Sequence, residues 1–136
     1  MNTDNLVLYI LMRTDLESMN PGKAMAQASH AYGAAKCRIK QNVAMQKSWL
    51  AWMDQTPQDF GTTLVLGGNE EEIDRAITFA QRWLNSSCNV AGWVMDPTYP
   101  VRDGAVTHLL HVNTCGFVFG DKDWVSHAVR HLDLHA

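Results

Sequence analysis

A continuous apolar run, Leu6 to Met12, stands near the start of the chain and limits its fold more than any other feature. A strand without polar alternation is buried on both faces, as happens when helices cover both sides of a largely parallel sheet. A polar loop follows, and then Asn20 and Pro21 suit the N-cap and first residue of a helix. The sequence therefore predicts a central strand of an α/β protein, joined by a short loop to a helix.

The remaining elements are predicted in the order β-α-α-β-α-β-β-α. The predicted strands are residues 6–12, 62–66, 90–95 and 106–112, and the predicted helices cover 21–53 with a break near Gly33, 70–84 and 121–134. A polar turn is expected from Asp96 to Gly104. Strands separated by helices are expected to be parallel, and the adjacent third and fourth strands antiparallel. We therefore predict one domain, residues 1–136, with a small mixed four-stranded sheet covered by helices.

Composition places the chain among ordinary globular proteins, with 46% hydrophobic and 18% charged residues. No apolar run reaches the ~20 residues that a membrane helix needs, so no membrane association is expected. The three cysteines, Cys37, Cys88 and Cys115, are odd in number and widely spaced. This pattern favours reduced thiols and a cytoplasmic protein over a disulfide framework.

The net charge of −3 conceals a basic segment. Residues 18–53 contain no Asp or Glu but five basic side chains, Lys23, Lys36, Arg38, Lys40 and Lys47. Such a segment suits a nucleotide or nucleic acid, although a solvated lysine-rich helix face explains it equally well.

The predicted helix start brings together groups that suit a phosphate: Arg13, Asp15, Lys23, Gln27 and His30. Unpaired amides near the first helical residues and the helix dipole both attract anions. Lys23 adds a point charge, and His30 could donate to a ribose or phosphate oxygen. The alternative is that His30 is a structural histidine and Asp15 a turn former.

A second group surrounds Asp96, where a carboxylate at a strand end could orient a water or a hydroxyl. Thr98, Tyr99 and Thr107 could contribute hydroxyls to the same pocket. The alternative is turn chemistry, with Asp96 accepting from the backbone two residues onward.

Histidines and cysteines give no specific signal. His127, His131 and His135 are spaced at i, i+4 and i+8 on the predicted last helix, but no Glu or Cys accompanies them at a recognised metal-ligand spacing. We therefore predict no metal and no cofactor. Cys115, beside Gly116, is more consistent with a buried small residue than with a nucleophile.

The first thirty residues resemble the type II peptidyl-tRNA hydrolases. That family has an apolar strand, an R-T/A-D-L step and a glycine–lysine loop that opens an A-A-Q-x-x-H-A helix. The matching residues here are Arg13-Thr14-Asp15-Leu16 and Gly22-Lys23-Ala24-Met25-Ala26-Gln27-Ala28-Ser29-His30-Ala31. The resemblance implies the family's element order over most of the chain.

The resemblance also implies an activity and a site: metal-independent hydrolysis of the ester between a peptide and the 3′ end of tRNA. Asp96 matches the family's aspartate after the third strand, and Thr107 fits a later threonine to within one residue. The turn Pro97-Thr98-Tyr99-Pro100 replaces a glycine-containing turn, with Thr98 in place of an earlier threonine. Where the family has two lysines flanking a glycine, this chain has Pro21 first and only Lys23 second. The first lysine is the one usually assigned the catalytic role.

The sequence is also consistent with two other functions. One is a protein without catalysis that binds a nucleotide, a tRNA end or a protein partner through the same phosphate site. The other is an interaction module with exposed tryptophans among Trp49, Trp52 and Trp124. Trp49 and Trp52, at helical spacing, also suit core or homodimer contacts.

Overall fold

A computed structural model describes residues 5–136 of the protein. Its elements along the chain are β1 (Leu6–Arg13), α1 (Pro21–Lys40), α2 (Val43–Met53), β2 (Thr63–Gly68), α3 (Glu70–Trp83), β3 (Asn89–Asp103), β4 (Val106–Asp121), α4 (Lys122–Val129) and β5 (Asp133–Leu134). The strands form one mixed sheet in the order β3-β4-β1-β2-β5. Strands β1 and β2 are parallel, whereas β4 runs antiparallel to both β1 and β3.

Strand β1 lies in the middle of the sheet and is buried on both faces, which confirms the main prediction from the sequence. Its even-numbered residues, from Leu6 to Met12, belong to a core cluster shared with α1 and α2. Its odd-numbered residues, from Val7 to Leu11, belong to a second cluster shared with α3 and α4. Helices therefore cover both sides of the sheet.

Local signals set the helix starts. The Asn20 side chain accepts from the Lys23 amide at 2.9 Å, and Pro21 is the first residue of α1. Asn69 and Glu72 form a reciprocal capping box at the start of α3, and Asp121 caps α4. Helix α1 continues through Gly33 and ends at Lys40, so the predicted break near Gly33 is wrong. The chain turns instead at Gln41 and Asn42.

The sheet has five strands rather than the predicted four, because the chain end is not the helix that the sequence predicts. Helix α4 ends at Val129, and Asp133–Leu134 then pairs antiparallel with Leu66 and Gly67 of β2. A strand of two residues is too short to leave a periodic signal.

The predicted polar turn from Asp96 to Gly104 is also wrong, since β3 continues to Asp103 and returns as β4. The turn consists only of Gly104 and Ala105, between the paired residues Asp103 and Val106, and Gly104 has a φ of 60°. Strand β4 pairs with β1 only from Cys115 onward, because β1 ends at Arg13. Residues 95–113 therefore extend beyond the end of β1 as a two-stranded ribbon, here called the arm. Pro97 and Pro100 fit within it because β3 is an edge strand.

Candidate functional site

Two bulges in the β3–β4 pairing aim polar side chains at the base of the arm. Val94 pairs with Cys115 but Met95 pairs with Asn113, so Thr114 is an extra residue on β4. A second shift falls between Asp96 and Tyr99 on β3. Bulges re-aim side chains and often occur beside active sites. Asp96 lies between the two.

The Asp96 carboxylate is half-buried and accepts three hydrogen bonds. Its Oδ2 accepts from Gln27 Nε2 at 2.8 Å, and its Oδ1 accepts from the Thr98 amide at 2.9 Å and the Thr98 hydroxyl at 3.2 Å. The Gln27 bond, more than any other group, lowers the pKa of Asp96, with further lowering from Thr98 and His30. A carboxylate offers about four acceptor positions, so one remains for a further donor such as water.

Gln27 is buried on α1 and is held from its other end by Thr114. The Thr114 hydroxyl donates to Gln27 Oε1 at 2.6 Å, which orients the Gln27 amide group so that it donates to Asp96. The Cys115 thiol donates to the backbone carbonyl of Gln27 at 3.4 Å. Because of the bulge, neighbouring residues of β4 both contact Gln27.

Lys23 lies one helical turn before Gln27 and is held to the arm. Its Nζ donates to the Pro100 carbonyl at 2.8 Å and lies 5.0 Å from the centre of the Tyr99 ring. An ammonium group has three donors, so two remain for a ligand. The backbone amides contribute less than expected, because the Lys23 amide is bonded to Asn20 and Pro21 has none.

His30 is exposed and lies seven residues after Lys23 on the same helix, a spacing that puts it on the face of Lys23 and Gln27. Its charge is one of the smaller causes that lower the pKa of Asp96. Arg13 and Asp15, which the sequence groups with His30, form a separate pair. Arg13 Nε is 2.9 Å from Asp15 Oδ1, and Arg13 Nη1 donates to the Asn113 carbonyl at 3.0 Å. This pair fixes the end of β1 to the base of the arm.

The predicted hydroxyl groups separate in the structure. Thr98 contacts Asp96 directly, in the backbone turn that the sequence offers as an alternative explanation. The Tyr99 hydroxyl is buried and accepts from Ser18 Oγ at 3.1 Å. Thr107 pairs with Arg102 near the exposed tip of the arm, five residues along β4 from Val112, the partner of Asp96. The structure therefore brings together Lys23, Gln27, His30, Asp96 and Thr98 but not Thr107.

The family model of peptidyl-tRNA hydrolase PTH2 matches residues 6–82, which is more than half of the chain. The protein belongs to this family. No curated protein shows significant similarity to the chain. The match covers Lys23, Gln27 and His30, whereas Asp96, Thr98 and Thr114 lie beyond its end. Membership in the type II peptidyl-tRNA hydrolase family thus rests on the part of the chain that carries α1.

In this peptidyl-tRNA hydrolase family member, an apolar cavity of about 470 Å³ lies on the other flank of α1. Its lining comes from the end of β1, the loop before α1, the first turns of α1, and the chain end: Met12, Leu16, Met19, Pro21, Met25 and His135 among others. Lys23, Gln27 and Asp96 do not line it. Pro21 faces this cavity, so the position of the family's first lysine is apolar here.

Several of the other sequence candidates have structural roles. Burial raises the pKa of Cys115 to about 11, which keeps it a thiol. Trp49 and Trp52 are buried in the core beside α1, whereas Trp124 is exposed. His131 donates to the Glu72 carbonyl, and both it and His135 lie beyond the end of α4 rather than on it.

Residues 5–136 contain no group of three or more His, Cys, Asp or Glu side chains placed to hold a metal ion. Within the same part of the chain, no helix is both long and apolar enough to cross a membrane.

Sequence patterns do not reveal Thr114 or the link that it makes. The spacing of Gln27 from Lys23 puts it on the polar face of α1, but nothing in the sequence identifies its partner. A threonine just before the apolar segment Cys115–Phe119 is the one available signal, because a buried hydroxyl needs a hydrogen-bond partner.

Proposed function

We propose that the protein hydrolyses the ester between a peptide and the 3′ end of tRNA. The observation that carries the proposal is the state of Asp96: a carboxylate with a lowered pKa, oriented by Gln27 and Thr98, with an acceptor position left for water. Membership in the peptidyl-tRNA hydrolase family supplies the substrate class.

In the proposed reaction, Asp96 accepts a hydrogen bond from the attacking water. This bond orients a lone pair of the water oxygen toward the ester carbonyl carbon. The new carbon–oxygen bond forms as the bond to the ribose 3′ oxygen breaks, and the water proton ends on that oxygen. Asp96 is a weak base because its pKa is lowered, so its main contribution is orientation of the water.

Lys23 supplies positive charge in place of the family's first lysine. Its two unused donors stabilise either the developing oxyanion or the terminal phosphate, while Pro100 and Tyr99 hold its ammonium group. Because α1 carries both Lys23 and Gln27 one turn apart, one rigid helix positions the cation and orients the carboxylate.

The direct test is release of N-acetyl-amino acid from N-acetyl-aminoacyl-tRNA by the purified protein. We expect Asp96→Asn to lower kcat/KM by about 10²- to 10⁴-fold, the range for a positioned acid or base. Asp103→Asn, at the exposed tip of the same arm, is the control and should retain activity. We expect Lys23→Ala to lower kcat by about 10²-fold or more, whereas Lys36→Ala should not.

Activity that is unchanged in Asp96→Asn would refute this mechanism. If the wild-type protein binds tRNA but releases no product, the protein is a non-catalytic binder and the hydrolase proposal fails.

A further inference from the structure

A line of polar side chains follows one face of α1 beside the edge strand β3. The helical period places Lys23, Gln27, His30, Arg38 and Gln41 on this face. The successive contacts are Lys23 to Pro100, Gln27 to Asp96, Arg38 to Gly92, and, past the helix end, Asn42 to the Ser86 carbonyl. These contacts mark the boundary between α1 and β3, here called the α1–β3 groove, which leads away from Asp96.

Arg38 lies in this groove without an anionic partner. Its Nη2 is only 3.0 Å from the position that a Cβ on Gly92 would occupy, so glycine leaves room for the guanidinium to lie across the strand. Among residues 5–136, this guanidinium makes no ion pair and donates no hydrogen bond. It therefore has donors available for a ligand.

A cavity of about 390 Å³ adjoins Arg38 at the far end of the groove. Its polar lining is Arg38, Gln41, Asn42, Gln81, Ser86 and Asn89, and no Asp or Glu of the described residues lines it. A guanidinium among neutral polar groups suits a phosphate, which it can bind through two parallel hydrogen bonds.

The distance between Arg38 and Asp96 indicates what kind of molecule would carry the phosphate. Gly92 lies four residues before Asp96 on β3, a separation of about 13 Å along the strand. The intervening face of α1 carries no acidic residue, since residues 18–53 have none. A basic groove that follows a strand edge suits the backbone of a single-stranded nucleic acid.

We propose that the α1–β3 groove binds the single-stranded 3′ end of the RNA substrate, with Arg38 holding a backbone phosphate a few nucleotides upstream of the ester. This inference rests on the proposed function for its substrate but concerns a separate group of residues. It assigns to Arg38 a role in binding and none in the chemical step.

The test compares Arg38→Gln with Lys36→Gln, which removes a basic side chain from another face of the same helix. The two substrates are N-acetyl-aminoacyl-tRNA and N-acetyl-aminoacyl-adenosine, which has no upstream phosphate. We expect Arg38→Gln to raise KM for the tRNA ester about tenfold without changing kcat, and to leave the adenosine ester unaffected. The slope of log KM against log salt should fall by about 0.7, the value for one phosphate contact on a single strand. Arg38→Lys should recover part of the lost affinity.

Equal KM values for Arg38→Gln and Lys36→Gln on the tRNA ester would overturn the inference. So would a loss that is the same on both esters, because it would mean that Arg38 supports the fold or the chemical step. If the wild-type protein hydrolyses neither ester, the proposed function fails, and anisotropy with uncharged tRNA still decides the role of Arg38. A Kd about tenfold weaker in Arg38→Gln supports the phosphate contact, and an unchanged Kd refutes it.

Discussion

The side-chain amide of Gln27 donates to Asp96 across a separation of 69 residues and joins helix α1 to the base of the arm. Its oxygen is occupied by the Thr114 hydroxyl, so rotation of the amide by 180° would break both bonds. The orientation of the half-buried carboxylate therefore depends on two buried side chains, Gln27 and Thr114. Substitutions of Gln27 or Thr114 should therefore change the orientation and the pKa of the Asp96 carboxylate while the fold is retained.

Replacement Gln27→Glu places a second carboxylate against Asp96. Like charges at this distance raise the pKa of one or both groups, and the hydrogen bond that lowers the pKa of Asp96 is lost. We expect kcat/KM at neutral pH to fall at least about tenfold, with the acidic limb of the pH profile moved to higher pH. The measurement is kcat/KM between acidic and neutral pH. The control is Gln58→Glu, in an exposed turn, which should keep the wild-type pH profile. A wild-type pH profile in Gln27→Glu would show that the hydrogen bond between Gln27 and Asp96 does not affect catalysis.

A pair of valine substitutions separates the two threonines of β4. Thr114→Val leaves the buried Gln27 oxygen without its donor, at a cost of about 1–3 kcal/mol in the free energy of unfolding. We expect hydrolysis to fall as well, because Gln27 loses its fixed orientation. Thr107→Val, on the exposed part of the arm, should change neither quantity. Urea denaturation and hydrolysis kinetics on both variants provide the check. If Thr107→Val loses more activity than Thr114→Val, Thr107 belongs to the site and the assignment of Thr114 is wrong.

The Arg13–Asp15 pair predicts a pH-dependent contribution to stability. The hydrogen bond from Arg13 lowers the pKa of Asp15 in the folded state below its value of about 4 in the unfolded chain. This contribution is therefore present above a pH of about 4 and is lost as the pH falls through the folded-state pKa. We expect Asp15→Asn to be less stable than the wild type at neutral pH and to approach it as the pH falls through the folded-state pKa of Asp15.

The control for that experiment is Asp59→Asn, an exposed position with a φ of 62° that asparagine accepts. Its stability should follow the wild type across the same range. A stability difference for Asp15→Asn that persists unchanged at low pH would contradict the ion-pair explanation.

Two glycines should respond to alanine in opposite directions. Gly33 lies inside α1, and an added methyl group there would have no atom within 4 Å, so Gly33→Ala should raise the free energy of unfolding by about 0.5–1 kcal/mol. At Gly116 the same methyl would lie 2.6 Å from Ile77 Cδ1, where α3 packs on the sheet. Gly116→Ala should therefore lower it by about 1–3 kcal/mol. Chemical denaturation measures the free energy of unfolding of both variants. A destabilised Gly33→Ala variant would contradict the finding that α1 continues through Gly33.

Local chemistry makes much of this fold predictable. The apolar run of β1, the Asn20 cap with Pro21, and the Asn69–Glu72 box each act within a few residues, and the structure has all three. The arm escapes prediction because Pro97 and Pro100 are typical of turns, while the pairing that keeps them in a strand comes from β4. The same reason applies to the site. Lys23 and Asp96 can be chosen by residue type, but Thr114 acquires its role from a bulge that depends on strand register.

The two prolines of β3 have a consequence for how the protein avoids self-association. An edge strand with free amides and carbonyls is a template on which another chain can add a strand. Here Pro97 and Pro100 remove donors from the exposed edge, and the bulge between Asp96 and Tyr99 breaks its regular spacing. A continuous intermolecular ladder is thus blocked along the border beside Asp96. The irregularity that aims the carboxylate also protects the sheet from aggregation.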